Sequence, residues 1–518
     1  MDAFIEGMKM FAPVLLSGMS GIGLLFSSFR SHIRETENGS ENAENKESPA
    51  DTADSLKKLH IFVGIVLTVA VIMALVSVWT KERSVTLFYL ADRVPVYFHV
   101  DALGRLFITL TSVIWPAAGV YAFQYMKHEG EEKRFFGFFL LLYGVLLSLE
   151  SAGNLITFYF FYELMTLSSM PLVMHNGSKE SIMAGLKYLF YSLCGAYFAL
   201  FGIYFLYQYC DTLNFTAGGT LNMTLVSGNV QILQIAVFLM IIGFGTKAGM
   251  LPFHSWLTAA HPAAPAPASA ALSSIIVKSG VLATIRAVYY IVGMEFIRGT
   301  WVQTVWMILT LLTVFMGSML AYREKVFKKR LAYSTISQVS YILFGLSLGS
   351  YMAMTGALLH VVFHAFIKCA LFLTAGTFIY RTDRIRADEY SGIGRQMKVT
   401  LWGYTFASLA LIGIPPFSGF TSKWYLALGA LSSETGFFAF LGPVVLLVSA
   451  LLTAGYLLPV TVKGFLPGKD TDIPVKKEPF DKMTAVVLIL CIVTVILGIW
   501  PNPLIRFAEQ IAASLWCY

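Results

Sequence analysis

Charged residues are scarce in this sequence. Only 13% of its 518 residues are Asp, Glu, Lys or Arg, whereas 57% are hydrophobic. A soluble domain carries about 25% charged residues, and it could not keep this much apolar surface out of water. The composition therefore excludes a soluble globular fold and predicts an all-α polytopic membrane protein, for which the bilayer is the solvent.

The sequence also lacks any recognisable pattern of metal ligands. Its five cysteines are far apart, and they are Cys194, Cys210, Cys369, Cys491 and Cys517. None belongs to a Cys-x-x-Cys pair or has the spacing of a zinc, iron–sulfur or c-type haem site. We therefore expect no metal, no cofactor and no electron transfer within this chain.

Two further signals are missing. The glycine-rich segment 243–249 (GFGTKAG) has neither the spacing nor the βαβ context of a dinucleotide-binding fingerprint. The N-terminal sequence MDAFIEGMKMF lacks the basic region and the cleavage site of a secretory signal. We therefore expect no nucleotide site, and we expect the first hydrophobic segment to be retained.

Fourteen apolar stretches are long enough to cross a bilayer as helices, which takes about 20 residues. They are predicted at 10–29, 61–79, 104–125, 135–149, 155–173, 186–207, 230–251, 266–292, 302–322, 331–348, 352–379, 401–431, 437–462 and 483–500. The segment 31–59 between the first two is polar and acidic, which is typical of a disordered linker. A docking segment for a partner is the alternative interpretation.

The distribution of basic residues supports this count. Of the 37 Lys and Arg residues, 24 fall in the odd-numbered loops between predicted spans, and seven fall in the even-numbered loops and the two tails. Cytoplasmic loops collect Lys and Arg. We therefore expect a cell-membrane protein with both termini on the outer side. The net charge of +7 reflects this topology and not nucleic-acid binding.

Six basic residues remain inside the predicted spans, namely Lys187, Lys247, Lys278, Arg286, Lys368 and Lys423. A cation at the membrane centre costs about 2.5–3.5 kcal/mol on insertion scales, so it persists only when it is paired or hydrated. Glu163, midway along the fifth span, is the clearest acidic counterpart. The alternative is a fixed ion pair between helices, and it has most weight for Arg286 and Lys187, which lie nearer helix ends.

Prolines stand beside two of these lysines. Pro252 follows Lys247, and Pro415 and Pro416 precede Lys423. Proline removes a backbone donor and clashes with the preceding turn, so the seventh and twelfth helices are predicted to be broken. Breaks at corresponding places in two halves of a transporter point to an ion site. A lysine whose pKa is set by burial and by a nearby carboxylate can carry a proton there.

The eleventh span carries three further polar groups on one face. His360, His364 and Lys368 stand at positions i, i+4 and i+8, and they extend over about 12 Å of helix axis. Lys278 in the eighth span is flanked by serines that could orient water. Together these groups predict a proton relay, and hydrogen-bonded packing histidines are the alternative.

Four segments resemble a known family. They are 161–173 (FYELMTLSSMPLV), 247–269 (KAGMLPFHSWLTAAHPAAPAPAS), 328–341 (KKRLAYSTISQVSY) and 360–373 (HVVFHAFIKCALFL). Over about 101–463 the chain resembles the antiporter-like membrane subunits shared by respiratory complex I, Mrp cation/proton antiporters and membrane-bound hydrogenases. The resemblance implies fourteen helices with two inverted five-helix repeats. The implied divisions are 1–134 (helices 1–3, with the polar loop 31–59), 135–293 (helices 4–8), 301–463 (helices 9–13) and 464–518 (helix 14 and tail).

The resemblance also implies roles for the charged residues. Glu163 looks like the family's fifth-helix glutamate, Lys247 like the seventh-helix lysine that pairs with it, and Lys278 like the eighth-helix lysine between two half-channels. The implied proton pathway comprises Glu163, Lys247, Lys278, His360, His364, Lys368 and Lys423, with Lys187, Arg286 and His254 as accessory groups. Only 18 residues follow Trp500, so we expect no long lateral helix of the L type, and we expect 504–515 to cap the surface.

The function implied is that of a proton-translocating subunit in a redox-driven complex of the NADH:quinone oxidoreductase or hydrogenase type, with other membrane subunits as partners. One alternative is a subunit of an Mrp-type Na⁺/H⁺ antiporter, because the D-type member also has lysine at the position of Lys423. A passive scaffold is another. No cluster of carboxylates that would hold sodium is visible, and this favours protons as the transported ion.

Overall fold

A computed structural model describes residues 2–38, 49–80, 84–91, 94–468 and 477–516. Within these ranges the chain forms twenty α-helices and one two-stranded sheet. The predicted all-α polytopic membrane fold is therefore confirmed. The helices of the first half are α1 (Asp2–Asn38), α2 (Pro49–Thr80), α3 (Ala102–Glu129), α4 (Glu132–Glu150), α5 (Leu155–Val173), α6 (Lys179–Tyr209), α7 (Met223–Val226), α8 (Val230–Lys247), α9 (Ser255–Ala263), α10 (Ala266–Ala271) and α11 (Val277–Ile285).

The second half is also helical. Its helices are α12 (Met294–Ile297), α13 (Trp301–Arg323), α14 (Phe327–Ser347), α15 (Tyr351–Thr382), α16 (Lys398–Ile412), α17 (Ser418–Leu431), α18 (Phe437–Phe465), α19 (Lys482–Ile499) and α20 (Asn502–Trp516). In the described ranges, eleven helical segments are long and apolar enough to cross a membrane. The three other predicted spans coincide with α4, with α14 and with the pair α16 and α17. All fourteen predicted spans thus lie on helices, while the number that crosses the bilayer stays a prediction.

Two helical segments occupy the centre of the bundle. One is α15, and the other is 266–292, in which α10 and α11 alternate with the π-helical turns Leu272–Ile276 and Arg286–Val292. The apolar windows of both segments are completely buried within this chain, whereas α1 and α18 are largely uncovered. Polar side chains on the central segments therefore meet other parts of this chain and not lipid.

The seventh and twelfth helices are broken where the prolines predict. The first break separates α8 from α9, and the second separates α16 from α17. Gly249 (φ +80°) and Gly413 (φ +90°) lie just beyond the first half-helix in each case, in the left-handed region that favours glycine. Each break therefore leaves a half-helix with free terminal carbonyl groups inside the bundle.

A β-hairpin was not predicted from the sequence. β1 (Ser84–Ala91) pairs antiparallel with β2 (Val94–His99) in the segment that was expected to be a plain loop between the second and third spans. Burial alternates along β2, where Val96 and Phe98 are buried and Tyr97 is partly exposed. This two-residue period in VPVYFH is the signal that could have predicted the strand.

The predicted linker 31–59 is wrong in part, because both of its described ends are helical. The first helix continues to Asn38, and the second begins at Pro49. Near its start, α2 carries an i,i+4 ion pair between Asp54 and Lys58 (2.6 Å), and such pairs support a polar helix outside the membrane. Residues 39–48 lie outside the described part of the chain.

The segment 504–515, expected to cap the surface, forms most of α20. This helix buries Ala508, Ile511, Ala512 and Leu515. The hydroxyl of Tyr351, the first residue of α15, donates to the backbone carbonyl of Glu509 (3.3 Å). The C-terminal helix therefore covers one end of the central helix.

Candidate functional site

Lys247 lies at the first helix break and is 1% exposed. Its ammonium group donates to three hydroxyl oxygens, those of Thr166 (2.8 Å), Tyr188 (2.8 Å) and Ser192 (3.1 Å). The ammonium also lies 4.4 Å from the centroid of the Tyr188 ring, a favourable position for a cation. Hydroxyl groups can both accept and donate, so this shell suits the charged ammonium and the neutral amine alike.

Close packing fixes Lys247 against the central segment. Gly280 of α11 approaches so closely that a Cβ at this position would lie 2.7 Å from the Ala248 nitrogen and 3.1 Å from the Lys247 Cβ. A glycine is therefore required where α11 crosses the end of α8. This crossing brings the break of the seventh helix next to the helix that carries Lys278.

The predicted ion pair between Glu163 and Lys247 is not formed in this structure. The Lys247 ammonium donates instead to the hydroxyl of Thr166, which lies one turn further along α5. Glu163 is half-buried, and its Oε1 atom is buried without a hydrogen-bond partner. Phe160 and Leu167 on the same face of α5 are 56% and 52% exposed. Glu163 therefore borders an outer face of the chain that a neighbouring subunit could cover.

Lys278 and Lys368 lie in the completely buried centre. The ammonium of Lys278 donates to the backbone carbonyl of Ser273 (2.6 Å). That of Lys368 donates to the Ser334 hydroxyl (2.6 Å) and to a backbone carbonyl (3.0 Å). The hydroxyls of Ser273 and Thr335 are 2.8 Å apart. Since Thr335 follows Ser334, a short run of hydroxyl and carbonyl groups joins the surroundings of the two lysines.

The two histidines of α15 extend this line of polar groups from Lys368 towards the second helix break. The rings of His360 and His364 are stacked with centroids 5.8 Å apart, and the Tyr341 ring lies 5.7 Å from that of His360. The Nδ1 atom of His360 and the Ser422 hydroxyl are within 2.9 Å. Both ring nitrogens of His364 are buried, and within the described ranges neither has a hydrogen-bond partner.

Lys423 spans the second break. It lies on α17 and donates to the carbonyls of Leu411 and Ile412 at the end of α16, at 2.7 and 3.0 Å. Its ammonium is also 5.1 Å from the centroid of the Tyr341 ring. The negative end of the α16 dipole thus stabilises the cation. The structure therefore brings Lys423, His360, His364, Lys368 and Lys278 into one row.

Arg286, predicted as an accessory group, forms a structural ion pair. Its guanidinium donates to both carboxylate oxygens of Asp101, at 2.6 and 2.7 Å. The arginine also lies between the rings of Phe215 and Tyr290, each 4.6 Å away. Asp101 in turn accepts from the Gly104 N–H as the N-cap of α3. This is the fixed ion pair that stood as the alternative for Arg286 on sequence grounds.

The other two accessory residues lie near a cavity of about 1200 Å³. This cavity, the α6–α9–α14 cavity, is lined mainly by the ends of these three helices, by Tyr125 of α3 and by residues of the adjoining loops. Its lining includes Lys187, Ala264, Lys328 and Lys329. Lys187 is half-buried on its wall, with its ammonium 5.9 Å from the Tyr191 ring. His254 precedes α9 at the first break, and its Nδ1 atom is buried without a partner.

Three buried polar residues were not predicted from the sequence. By its position in the sequence, Lys328 falls among the basic residues of a predicted loop. In the structure it is buried and only 7% exposed. His261 is 0% exposed and neither of its ring nitrogens has a partner. Glu150, at the end of α4, accepts a hydrogen bond from the Thr111 hydroxyl (2.6 Å). The segment 247–269 carried a signal for His261, because it places this histidine beside prolines in the seventh helix.

The lysines at the two helix breaks and in the buried centre share one electrostatic feature. Within the described part of the chain, no carboxylate lies within 4 Å of the ammonium groups of Lys247, Lys278, Lys368 or Lys423. No three His, Cys, Asp or Glu side chains of the described residues converge as ligands for a metal ion. That the chain carries no cofactor of its own remains a prediction.

Comparisons with known proteins agree with this architecture. Over 428 residues the chain is 33% identical to NADH-quinone oxidoreductase subunit N of Desulforudis audaxviator, covering 80% of this chain and 84% of that one. Over 418 residues it is 26% identical to the D-type subunit of the Na⁺/H⁺ antiporter of Alkalihalophilus pseudofirmus, covering 80% and 82%. The fold is similar to a chain of the archaeal membrane-bound sulfane sulfur reductase, with a TM-score of 0.78, 22% identity and 98% coverage of both chains.

The family itself is shown by a match over most of the bundle. Residues 152–461 match the family described as NADH:quinone oxidoreductase/Mrp antiporter, transmembrane. This range begins just before α5 and ends within α18, so it includes both helix breaks and the whole row of buried lysines and histidines. The chain is a multi-pass membrane protein that belongs to the NADH:quinone oxidoreductase/Mrp antiporter family.

Proposed function

We propose that this chain is a proton-translocating, antiporter-like membrane subunit of a redox-driven complex of the NADH:quinone oxidoreductase or hydrogenase type. The observation that carries the proposal is that Lys247 and the three lysines of the row donate hydrogen bonds from their ammonium groups to hydroxyl and carbonyl oxygens, and not to carboxylates. A structural ion pair needs a fixed counter-charge, as Arg286 has in Asp101. Buried cations without one are costly, and such groups in a membrane mark proton and ion pathways.

The proposed path follows the order of the row. A proton from the cytoplasmic side reaches Lys247 or Lys278, passes through the surroundings of Lys368 and His364, and leaves from Lys423 towards the outer side. Each lysine takes a proton on its lone pair as an amine and releases it as an ammonium. Hydroxyls and bound water carry the proton between them, because both can donate and accept.

Glu163 is proposed to couple this path to the rest of the complex. Opposite unit charges 4 Å apart attract by about 4 kcal/mol at the effective dielectric of 20 that is typical near a protein surface. This energy exceeds the 2.3 kcal/mol or so needed to move one charge across 100 mV. A charge that moves in an adjoining subunit could therefore draw Lys247 towards Glu163 or release it, and so drive a proton onward.

The proposal includes the setting of the chain. Its partners are other membrane subunits of the same complex, and its location is the plasma membrane, with both termini on the outer side. The exposed face of α5 around Glu163 supports a neighbouring subunit there. The inverted repeats 135–293 and 301–463 are part of this proposal, and the two similar helix breaks support them.

A subunit of an Mrp-type Na⁺/H⁺ antiporter is the second candidate. It is supported by the 26% identity to a D-type antiporter subunit and by the lysine at position 423. The two candidates differ in what drives transport. Purification of the intact native complex separates them, because a redox-driven complex contains iron–sulfur or other redox subunits, whereas an antiporter contains only membrane subunits and exchanges sodium for protons.

Two substitutions test the proposed pathway itself. In membrane vesicles with the native complex, E163Q and K247A should abolish coupled proton transport and leave the amount of assembled complex unchanged. The control is K463A, which replaces an exposed lysine at the end of α18, away from the row and the cavity. Normal proton transport in both E163Q and K247A would show that the proposal is wrong.

A further inference from the structure

We propose that Lys328 takes up protons from the α6–α9–α14 cavity and delivers them to the buried row through His261. This inference rests on the proposed proton transport, and it assigns an uptake group to that transport. In the sequence, Lys328 stands in a run of basic residues at a helix end, a position that is typical of a solvated lysine. Its burial and its neighbours carry the argument.

Lys328 is a buried lysine at the wall of an open cavity. It belongs to the first turn of α14, it is 7% exposed, and it lines the cavity. Its ammonium donates to the carbonyl of Ala264 (2.9 Å), the residue that directly follows α9. Pro265 follows, so this carbonyl is at the free end of a half-helix. Lys328 therefore connects water-accessible space with the end of the broken seventh helix that lies away from the break.

His261 lies on the inner side of this contact. It stands on α9 one turn before Ala264, and it is 0% exposed. Both ring nitrogens are buried, and neither has a hydrogen-bond partner among the residues that the structure describes. Its ring stacks on Phe372 of α15 with centroids 4.6 Å apart. A buried imidazole without hydrogen bonds is costly, unless water reaches it or its nitrogens exchange protons.

Two observations connect His261 with the row, namely its charged neighbours and its packing against α15. The histidine is within electrostatic reach of Lys278, Lys328 and Lys368. Phe372, on which it stacks, stands one turn after Lys368 on α15. The Ser269 hydroxyl also bonds the His261 carbonyl (2.8 Å), which fixes this part of the seventh helix against α10. His261 is thus placed between the lysine at the cavity and the lysines at the centre.

The other two lysines of the cavity are unsuited to this role. Lys329 is 39% exposed in its side chain and forms an ion pair with Glu324 (2.9 Å), so its proton is held by a carboxylate at the surface. Lys187 lies over the Tyr191 ring and is half-buried. Lys329 is adjacent in sequence, carries the same charge and lines the same cavity. It is therefore the matched control for Lys328.

The proposed step is a balanced proton transfer. A hydronium ion in the cavity gives its proton to the lone pair of the neutral Lys328 amine, which leaves a water molecule behind. The ammonium then gives a proton to one ring nitrogen of His261, directly or through water, and returns to the amine. The opposite ring nitrogen releases its proton towards Lys278 and Lys368, so the imidazole is neutral again after each cycle.

The test compares K328A, K329A and K278M in vesicles that contain the intact complex. We expect K328A to lower proton transport at least about a hundredfold, the lower end of the range that loss of a general acid–base group produces, and K329A to leave it nearly unchanged. Ethylammonium added on the cytoplasmic side should restore transport in K328A, because the small amine can reach the space opened at the cavity wall. Ethylammonium should not restore proton transport in K278M, because the site of this substitution is away from the cavity.

Each outcome decides a separate question. Normal transport in K278M would refute the proposed function itself. Loss of transport in K278M together with normal transport in K328A would refute only the uptake role. Loss in K328A without recovery in ethylammonium would also refute it, and would make Lys328 a structural residue. If K328A does not assemble, K328Q offers a neutral donor for the Ala264 carbonyl on a side chain one bond shorter. Loss of transport in assembled K328Q supports the role, whereas normal transport refutes it.

Discussion

Replacement of Asp101 by alanine tests whether Arg286 is a structural anchor or a member of the proton pathway. The side chain of Arg286 is 2% exposed and that of Asp101 is 22% exposed. Removing one partner of a buried ion pair costs about 3–5 kcal/mol, because the other charge remains buried. The partial exposure of Asp101 favours the lower end of this range. Loss of the α3 N-cap bond to Gly104 adds about 1 kcal/mol. We therefore expect D101A to destabilise the chain by about 4 kcal/mol.

The assay is unfolding of the purified complex in mixed detergent micelles, with increasing SDS. The control is E295A, which removes a partner from the exposed pair between Glu295 and Arg298 (2.9 Å). An exposed pair contributes about 0–1 kcal/mol, so E295A should unfold almost like the wild type. The double variant D101A/R286M removes the isolated buried charge and should recover a large part of the lost stability.

The reasoning would be refuted if D101A and E295A lost similar stability, or if D101A/R286M were less stable than D101A alone. Either result would show that the arginine does not depend on its carboxylate partner. Arg286 would then return to the set of charges that could serve in transport. Proton transport measured at low temperature, where D101A remains folded, should be unchanged if the pair is only structural.

Three further predictions concern single groups. Y188F removes one of three hydroxyl acceptors of Lys247, and since a hydrogen bond to a charged group contributes about 1.5–3 kcal/mol, proton transport in vesicles should fall while assembly is retained. S422A removes the hydroxyl beside His360 and should slow transport without lowering the amount of complex. Burial acts to raise the pKa of the Asp101 carboxyl, but the charge and hydrogen bonds of its arginine partner lower it below the usual range. The stability that this carboxylate contributes is thus present at neutral pH and lost as pH falls below about 3.9, and D101N should remove that pH dependence from an acid-unfolding curve.

The lysines at the helix breaks could be predicted because local signals surround them. Pro252 follows Lys247 within a few residues, and Pro415 and Pro416 precede Lys423, so the break and the charge were visible together. In the structure, the two lysines make different contacts at their helix breaks. Lys247 ends the first half-helix, whereas Lys423 reaches back from the second half-helix to the carbonyls of the first.

The role of Lys328 could not be predicted from its position at a helix end. The distribution of basic residues among loops predicts water exposure for every lysine that lies beyond a hydrophobic stretch. Whether such a side chain faces water or the bundle depends on how the helix packs, and here α14 packs against α9 so that the ammonium reaches Ala264. The same limit applies to Glu163 and Lys247, because their separation depends on side-chain conformations that no sequence spacing fixes.

The central claim is that protons cross the membrane through the buried row. Proton transport by the complex with K368M in sealed vesicles tests it most directly, with the driving reaction and the amount of assembled chain measured in the same preparation. Methionine keeps the volume of the side chain but cannot carry a proton, so the account predicts a loss of transport of about a hundredfold or more. Wild-type transport in assembled K368M would contradict the account.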